Sequence, residues 1–135
     1  MNIDKIEGTG GVPMKALVKT ELGFGNLEIQ SKPEPKHGKN QVKIEVKYAG
    51  VCGSDIHTYE GHYNVAVPVT LGHEFSGEVV EVGEGVTEFK PGDRVTSETT
   101  FYICGECEYC QSGDYNLCNH RKGLGTQQDG GFTKY

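Results

Sequence analysis

The chain has 135 residues, enough for one domain with a modest core and too few for two ordinary domains. Its 20 Gly and 35% hydrophobic content suit a β-rich or loop-rich fold, because each Gly inside a helix costs about 1 kcal/mol relative to Ala. A net charge of −6 repels a phosphate backbone, and no apolar run reaches the roughly 20 residues of a membrane span, so neither nucleic acid nor membrane is expected as a partner. The N-terminus also lacks the basic-then-apolar layout of a secretory signal, and a cytoplasmic protein is expected.

Residues 1–13 carry Gly8, Gly10, Gly11 and Pro13 without periodicity, and they read as a disordered leader or expression remnant. A domain is expected over 14–135. Its first strand is predicted at Met14–Lys19, and a weaker one at Leu27–Gln30 after the turn Gly23-Phe24-Gly25-Asn26. Lys32 to Asn40, with Pro33, Pro35 and Gly38, reads as a loop. Val42, Ile44, Val46 and Tyr48 then alternate with Lys43, Glu45 and Lys47, which predicts a strand with one apolar face. Ser54 to Glu60 has room for one or two helical turns. Phe75 to Val82 and Arg94 to Thr99 read as further strands, the second following the turn Pro91-Gly92-Asp93. Cys104 to Cys118 reads as a metal-organised loop, and Gly130 to Tyr135 as a strand beginning. Five or six short strands joined by Gly/Pro turns predict a small antiparallel barrel or sandwich.

The cysteines are five, an odd number, with four crowded together and Cys52 alone. That distribution fits a metal site better than a disulfide framework. Cys104-x2-Cys107-x2-Cys110-x7-Cys118 supplies four soft thiolates, the number a tetrahedral zinc needs, with sulfurs about 2.3 Å from the ion. Four protein ligands fill every position, so such a site is structural. Free or disulfide-linked thiols and a four-cysteine iron–sulfur cluster are the competing readings. His120 is read as facing solvent.

A second constellation combines Cys52-Gly53-Ser54-Asp55-Ile56-His57 with Gly72-His73-Glu74-Phe75-Ser76-Gly77. One thiolate, one imidazole and one carboxylate make an incomplete shell, as a catalytic zinc requires. A buried Cys and a packed His explain the same residues without a metal.

Together these stretches resemble the zinc-containing medium-chain alcohol dehydrogenases. The pattern Gly-His-Glu-x2-Gly-x5-Gly-x2-[small or Val] is met by Gly72, His73, Glu74, Gly77, Gly83 and Val86, and Cys-x-[Ser/Thr]-x2-His by Cys52, Ser54 and His57. The four-cysteine lobe agrees in all its gaps, and Cys-Gly-Ser-Asp resembles the polyol and threonine dehydrogenase branches.

The resemblance implies a mainly β, GroES-like, partly open barrel with short helices and a zinc-binding lobe. It implies one structural Zn2+ on Cys104, Cys107, Cys110 and Cys118, and one catalytic Zn2+ on Cys52 and His73 with Glu74 as a direct or intermittent ligand. It further implies zinc acting as a Lewis acid on the alcohol oxygen, Ser54 accepting the alcohol proton and His57 passing it to solvent. The substrate would be a small alcohol or polyol, and the full-length protein a homo-oligomer, dimeric or tetrameric. For Ser54 the competing reading is a helix cap, and for His57 an exposed helical histidine. Tyr59 reads equally as pocket lining or ordinary packing. No Gly-x-Gly-x-x-Gly occurs, since Gly83-Glu84-Gly85 lacks the third Gly and a following helix. NAD(P) is therefore expected to bind a further domain, and the 135 residues to be inactive alone. A zinc-stabilised interaction module without redox activity is the alternative; it has no need of Cys52, Ser54, His57 and His73.

Overall fold

A computed structural model describes residues 12–135. The leader expected over 1–13 lies outside them, apart from Val12 and Pro13, which take no regular structure.

The chain runs β1 (Met14–Lys19), β2 (Leu27–Lys32), β3 (Val42–Gly50), α1 (Gly53–Glu60), β4 (Val69–Thr70), β5 (Glu74–Val82), β6 (Arg94–Thr96), β7 (Thr100–Tyr102), α2 (Glu108–Ser112) and β8 (Lys122–Gly123). A short 3-10 turn spans Tyr115–Leu117. All strand pairs are antiparallel, in sheets ordered β2-β1-β4, β3-β5-β6 and β7-β8. The sheets do not close on one another, so the architecture is mainly β and open, as expected of a partly open barrel with short helices. Among the described residues, no helix is long and apolar enough to cross a membrane.

The core is small. Ala16, Val18 and Val79 are buried, and Val65, Val69 and Leu71 form a cluster covered by Leu27, Val67 and Phe132. Each such Val or Leu contributes about 1.5–3 kcal/mol by leaving water. Backbone bonds supplement this apolar content. Leu17 N–H donates to Phe132 O at 3.0 Å, Phe132 N–H to Leu71 O at 2.9 Å, and Val46 N–H to Lys134 O at 2.8 Å. The last residues thus tie the first sheet to the second. They do so without the strand expected over Gly130–Tyr135: only an isolated bridge, Ala16 with Thr133, forms there. The segment crosses between two sheets, so it completes no ladder with either.

Three further expectations are corrected. The alternation in β3 does not give one buried apolar face, since Lys43 is buried and Tyr48 is 79% exposed. Register shifts at Lys43/Ile44 and Val46/Tyr48 interrupt the pairing with β5; the second leaves Lys47 unpaired on β3 and moves Tyr48 and its followers to the other face. Lys43 tolerates burial because its ammonium meets the carboxylates of Glu34 and Glu81, the latter at 2.8 Å. Burial works to lower the Lys43 pKa, but the two carboxylates outweigh it and hold the amine above its ordinary value. The strand expected over Arg94–Thr99 ends early, at Thr96, and β7 begins only at Thr100 on a different sheet. The cysteine lobe is also more than a loop, for it contains α2 and the 3-10 turn.

Candidate metal centres

Two cysteine-containing sets of metal-ligating side chains assemble among the described residues, and local backbone geometry explains each. In the lobe, Gly105 takes φ +74°, a left-handed turn that brings Cys107 back towards Cys104. Cys107 is the N-cap of α2, Cys110 lies on that helix, and Gly113 ends it in a left-handed C-cap. The 3-10 turn then returns the chain so that Cys118 N–H bonds Tyr115 O. The stem is β7 paired with β8, braced by Arg121 donating to the hydroxyls of Thr99 and Thr100.

All four sulfurs lie within 4.8 Å of one another, and none is in a disulfide. Cys118 and Cys104 are 3.6 Å apart at sulfur, and Cys104 and Cys110 4.0 Å. A tetrahedron with metal–sulfur bonds of about 2.3 Å has edges of about 3.8 Å, so these separations fit a zinc-sized ion. They are far too long for sulfur–sulfur bonds. Backbone N–H groups point at the sulfurs, from Cys107 and Glu106 to Cys104 and from His120 to Cys118. His120 thus contributes its amide to the lobe, and its side chain faces solvent as expected. N–H groups from Cys110 and Asn119 bring the Cys107 thiol down to about 6. Burial, and after it the neighbouring thiols, pushes Cys110 up to about 12. Four thiolates brought together need a cation among them, which a divalent ion supplies.

The second set is built by the register of β3 on β5. Gly50 pairs with Glu74, and Cys52 follows two residues after Gly50, so the strand ends deliver Cys52 beside His73 and Glu74. One ligand atom from each lies within 4.8 Å of the others. Cys52 is half-buried, the His73 side chain is 12% exposed and Glu74 is open to solvent, which leaves the set accessible from one side. Gly72 lets the chain turn into β5 beneath Phe132. It has φ +94°, and a Cβ there would lie 2.5 Å from the Phe132 ring. Gly77 serves the same register, since a Cβ would meet Glu45 O at 2.2 Å.

The environment of His73 tests whether a metal fits. Its Nδ1 is buried and has no hydrogen-bond partner among the described residues. A buried ring nitrogen without a partner is costly, and a ligand arrangement that fixes the ring offsets that cost. Asp55 stands 3.7 Å away, its carboxylate buried, while its other oxygen accepts Cys52 N–H at 2.9 Å. One acid therefore holds the Cys52 backbone and faces His73. Sequence reasoning missed this residue, although its place three after Cys52, at the third position of a helix capped by Cys52, is the acidic position of a capping box.

The structure does not bring all the expected residues together. Ser54 Oγ meets His73 Nε2 at 3.3 Å, so Ser54 lies at the metal set and makes no cap. His57 is 63% exposed and its Nδ1 faces Glu60 Oε2 at 3.3 Å. No hydrogen bond joins Ser54 to His57 among the described residues. Tyr59 packs, with its ring 5.0 Å from that of Phe24.

Residues 38–135 match the alcohol dehydrogenase GroES-like domain family. A sorbitol dehydrogenase of Halalkalibacterium halodurans is 76% identical over 122 residues, covering 90% of this chain and 36% of that protein. A D-arabitol-phosphate dehydrogenase of Enterococcus avium is 54% identical over 123 residues, covering 90% and 35%. A Sinorhizobium meliloti 1021 protein assigned as a zinc-binding dehydrogenase, solved with NADP, superposes with TM-score 0.84 at 38% identity, covering 92% and 35%. The chain thus spans about a third of the length of the relatives it matches.

Proposed function

Because the chain belongs to the alcohol dehydrogenase GroES-like domain family, we propose that it is the catalytic domain of a zinc-dependent, NAD(P)-linked alcohol or polyol dehydrogenase. The observation that carries this reading is the Cys52–His73–Glu74 set, open on one side and adjoining Ser54. A closed structural module has no use for a second, solvent-facing ligand set. High identity to a sorbitol dehydrogenase supports a polyol as the substrate class.

In this reading Cys104, Cys107, Cys110 and Cys118 hold a structural zinc, and Cys52, His73 and Glu74 hold a catalytic one. The catalytic ion supplies Lewis acidity to the alcohol oxygen. Asp55 holds Cys52 and His73 in place. Ser54, beside His73, receives the hydroxyl proton, and His57 at the exposed face of α1 hands it to solvent. Ser54 and His57 are not in contact in the structure, so the relay requires a water or a side-chain rotation between them. Sequence outside these residues binds NAD(P) to accept the hydride, and the whole protein is a homo-oligomer.

The test compares two variants of the full-length protein. Cys52→Ser is expected to lose catalytic zinc and activity together, because a neutral hydroxyl is a far weaker ligand than a thiolate. His57→Gln is expected to keep its zinc and lose roughly 100-fold in rate near neutral pH, the lower end of a general acid–base contribution, with partial rescue by imidazole buffer. Full neutral-pH activity in His57→Gln overturns the relay. Full activity in Cys52→Ser overturns the catalytic metal.

A further inference from the structure

We propose that His57, Glu60 and His62 form a third metal site, a solvent-facing pair of imidazoles and a carboxylate for a divalent transition-metal ion such as Zn2+ or Ni2+. One ligand atom from each residue lies within 4.8 Å of the others. A single oxygen, Glu60 Oε2, stands 3.3 Å from His57 Nδ1 and 3.4 Å from His62 Nδ1. The two rings therefore converge on one carboxylate from opposite sides of the chain reversal.

That convergence is built into the backbone. Gly61 ends α1 with φ +82°, and His62 N–H and Tyr63 N–H both donate to His57 O, at 2.9 and 3.2 Å. The reversal returns His62 over the last helical turn that carries His57 and Glu60. Gly61 is also pinned from outside, since a Cβ there would lie 2.8 Å from the backbone of Gly23. Lys19 fixes that neighbouring turn through bonds to Gly23 O and Gly25 O, and Gly25 N–H donates to Tyr59 O on the helix. The ligands thus project from a braced helix end.

The donor chemistry selects the ion. Neutral imidazoles with a carboxylate suit Zn2+, Ni2+ and Cu2+ over Mg2+ or Ca2+, which take oxygen. Side-chain exposures of 63, 41 and 73% leave the remaining positions to water. The site shares no residue with the other two sets.

One consequence rests on the proposed relay. An imidazole bound to a metal no longer cycles through its protonated form, so occupancy withdraws His57 from proton transfer, and excess zinc inhibits oxidation.

The experiment uses full-length protein loaded with zinc, freed of loose metal, and titrated calorimetrically with Ni2+. One further equivalent is expected. It should weaken tenfold or more in His62→Gln and in Glu60→Gln, and stay unchanged in His37→Gln. In parallel, excess Zn2+ should slow polyol oxidation by the unsubstituted protein and spare His62→Gln, whose basal rate is unchanged. No further equivalent, or equal affinity in both His62→Gln and Glu60→Gln, overturns the site. Binding that the two variants abolish, without any inhibition, upholds the site and removes the relay instead.

Discussion

Asp55 shows how much one buried carboxylate organises around a metal set. It accepts Cys52 N–H at 2.9 Å, which fixes the backbone that carries the sulfur, and its other oxygen lies 3.7 Å from His73 Nδ1. Asp55→Ala is expected to leave the four-cysteine zinc in place and to weaken zinc at the Cys52 set by about 10–100-fold, the usual effect of removing a residue that orients ligands. Zinc-competition titration of both sites measures it, and equal affinity at the Cys52 set would remove Asp55 from its positioning role. A second carboxylate reports on folding. Burial works to raise Asp129, but Lys32 at 2.8 Å and Thr70 N–H at 2.7 Å outweigh it and hold the acid below its ordinary value. The unfolded chain then binds the proton more tightly than the folded one. The stability this supplies is complete above the ordinary aspartate pKa of about 4 and is lost as pH falls through the lower folded value. Urea midpoints should fall with acidification, and less steeply in Asp129→Asn.

At the scale of elements, β3 carries the greatest departure from a simple strand. Lys43 points inward ahead of both register shifts, and the amine is stabilised between Glu34 and Glu81 with its charge 4.7 Å from the Tyr135 ring. Lys43→Ala leaves two carboxylates facing each other without a cation. Glu81 is half-exposed, so solvent screens part of the repulsion, and the expected loss is about 1–3 kcal/mol. Denaturant unfolding checks this, and a Lys43→Ala domain as stable as the parent would mean the network contributes nothing. The same strand explains how the Cys52–His73–Glu74 set forms: β3 and β5 must pair in one register for Gly50 to lie opposite Glu74.

At the scale of the molecule, two metal sets differ in closure, and their hold on zinc should differ accordingly. Four mutually close sulfurs satisfy a tetrahedral ion entirely, whereas Cys52, His73 and Glu74 leave a side open. Dialysis of the 135-residue chain against a mild chelator should leave one zinc per chain, with Cys104→Ser losing it and Cys52→Ser keeping it. Two tightly held ions would show that the open set binds as firmly as the closed one. Much of this was legible beforehand. The gaps between cysteines announce a four-thiolate site because ligand spacing is a local property, and the stretches around Cys52 and His73 carry family motifs that Gly72 and Gly77 make intelligible as close-approach positions. The period-two pattern located β3 correctly, since alternation is also local. Its burial was not legible, because a bulge is decided by the partner strand. The role of Asp55 and the crossing of Phe132 and Lys134 between sheets were equally hidden. Ligand type and spacing are written along the chain, but which face is buried, which acid meets which imidazole and which backbone amides bridge two sheets depend on residues far apart in sequence, and only the packed tertiary structure decides them.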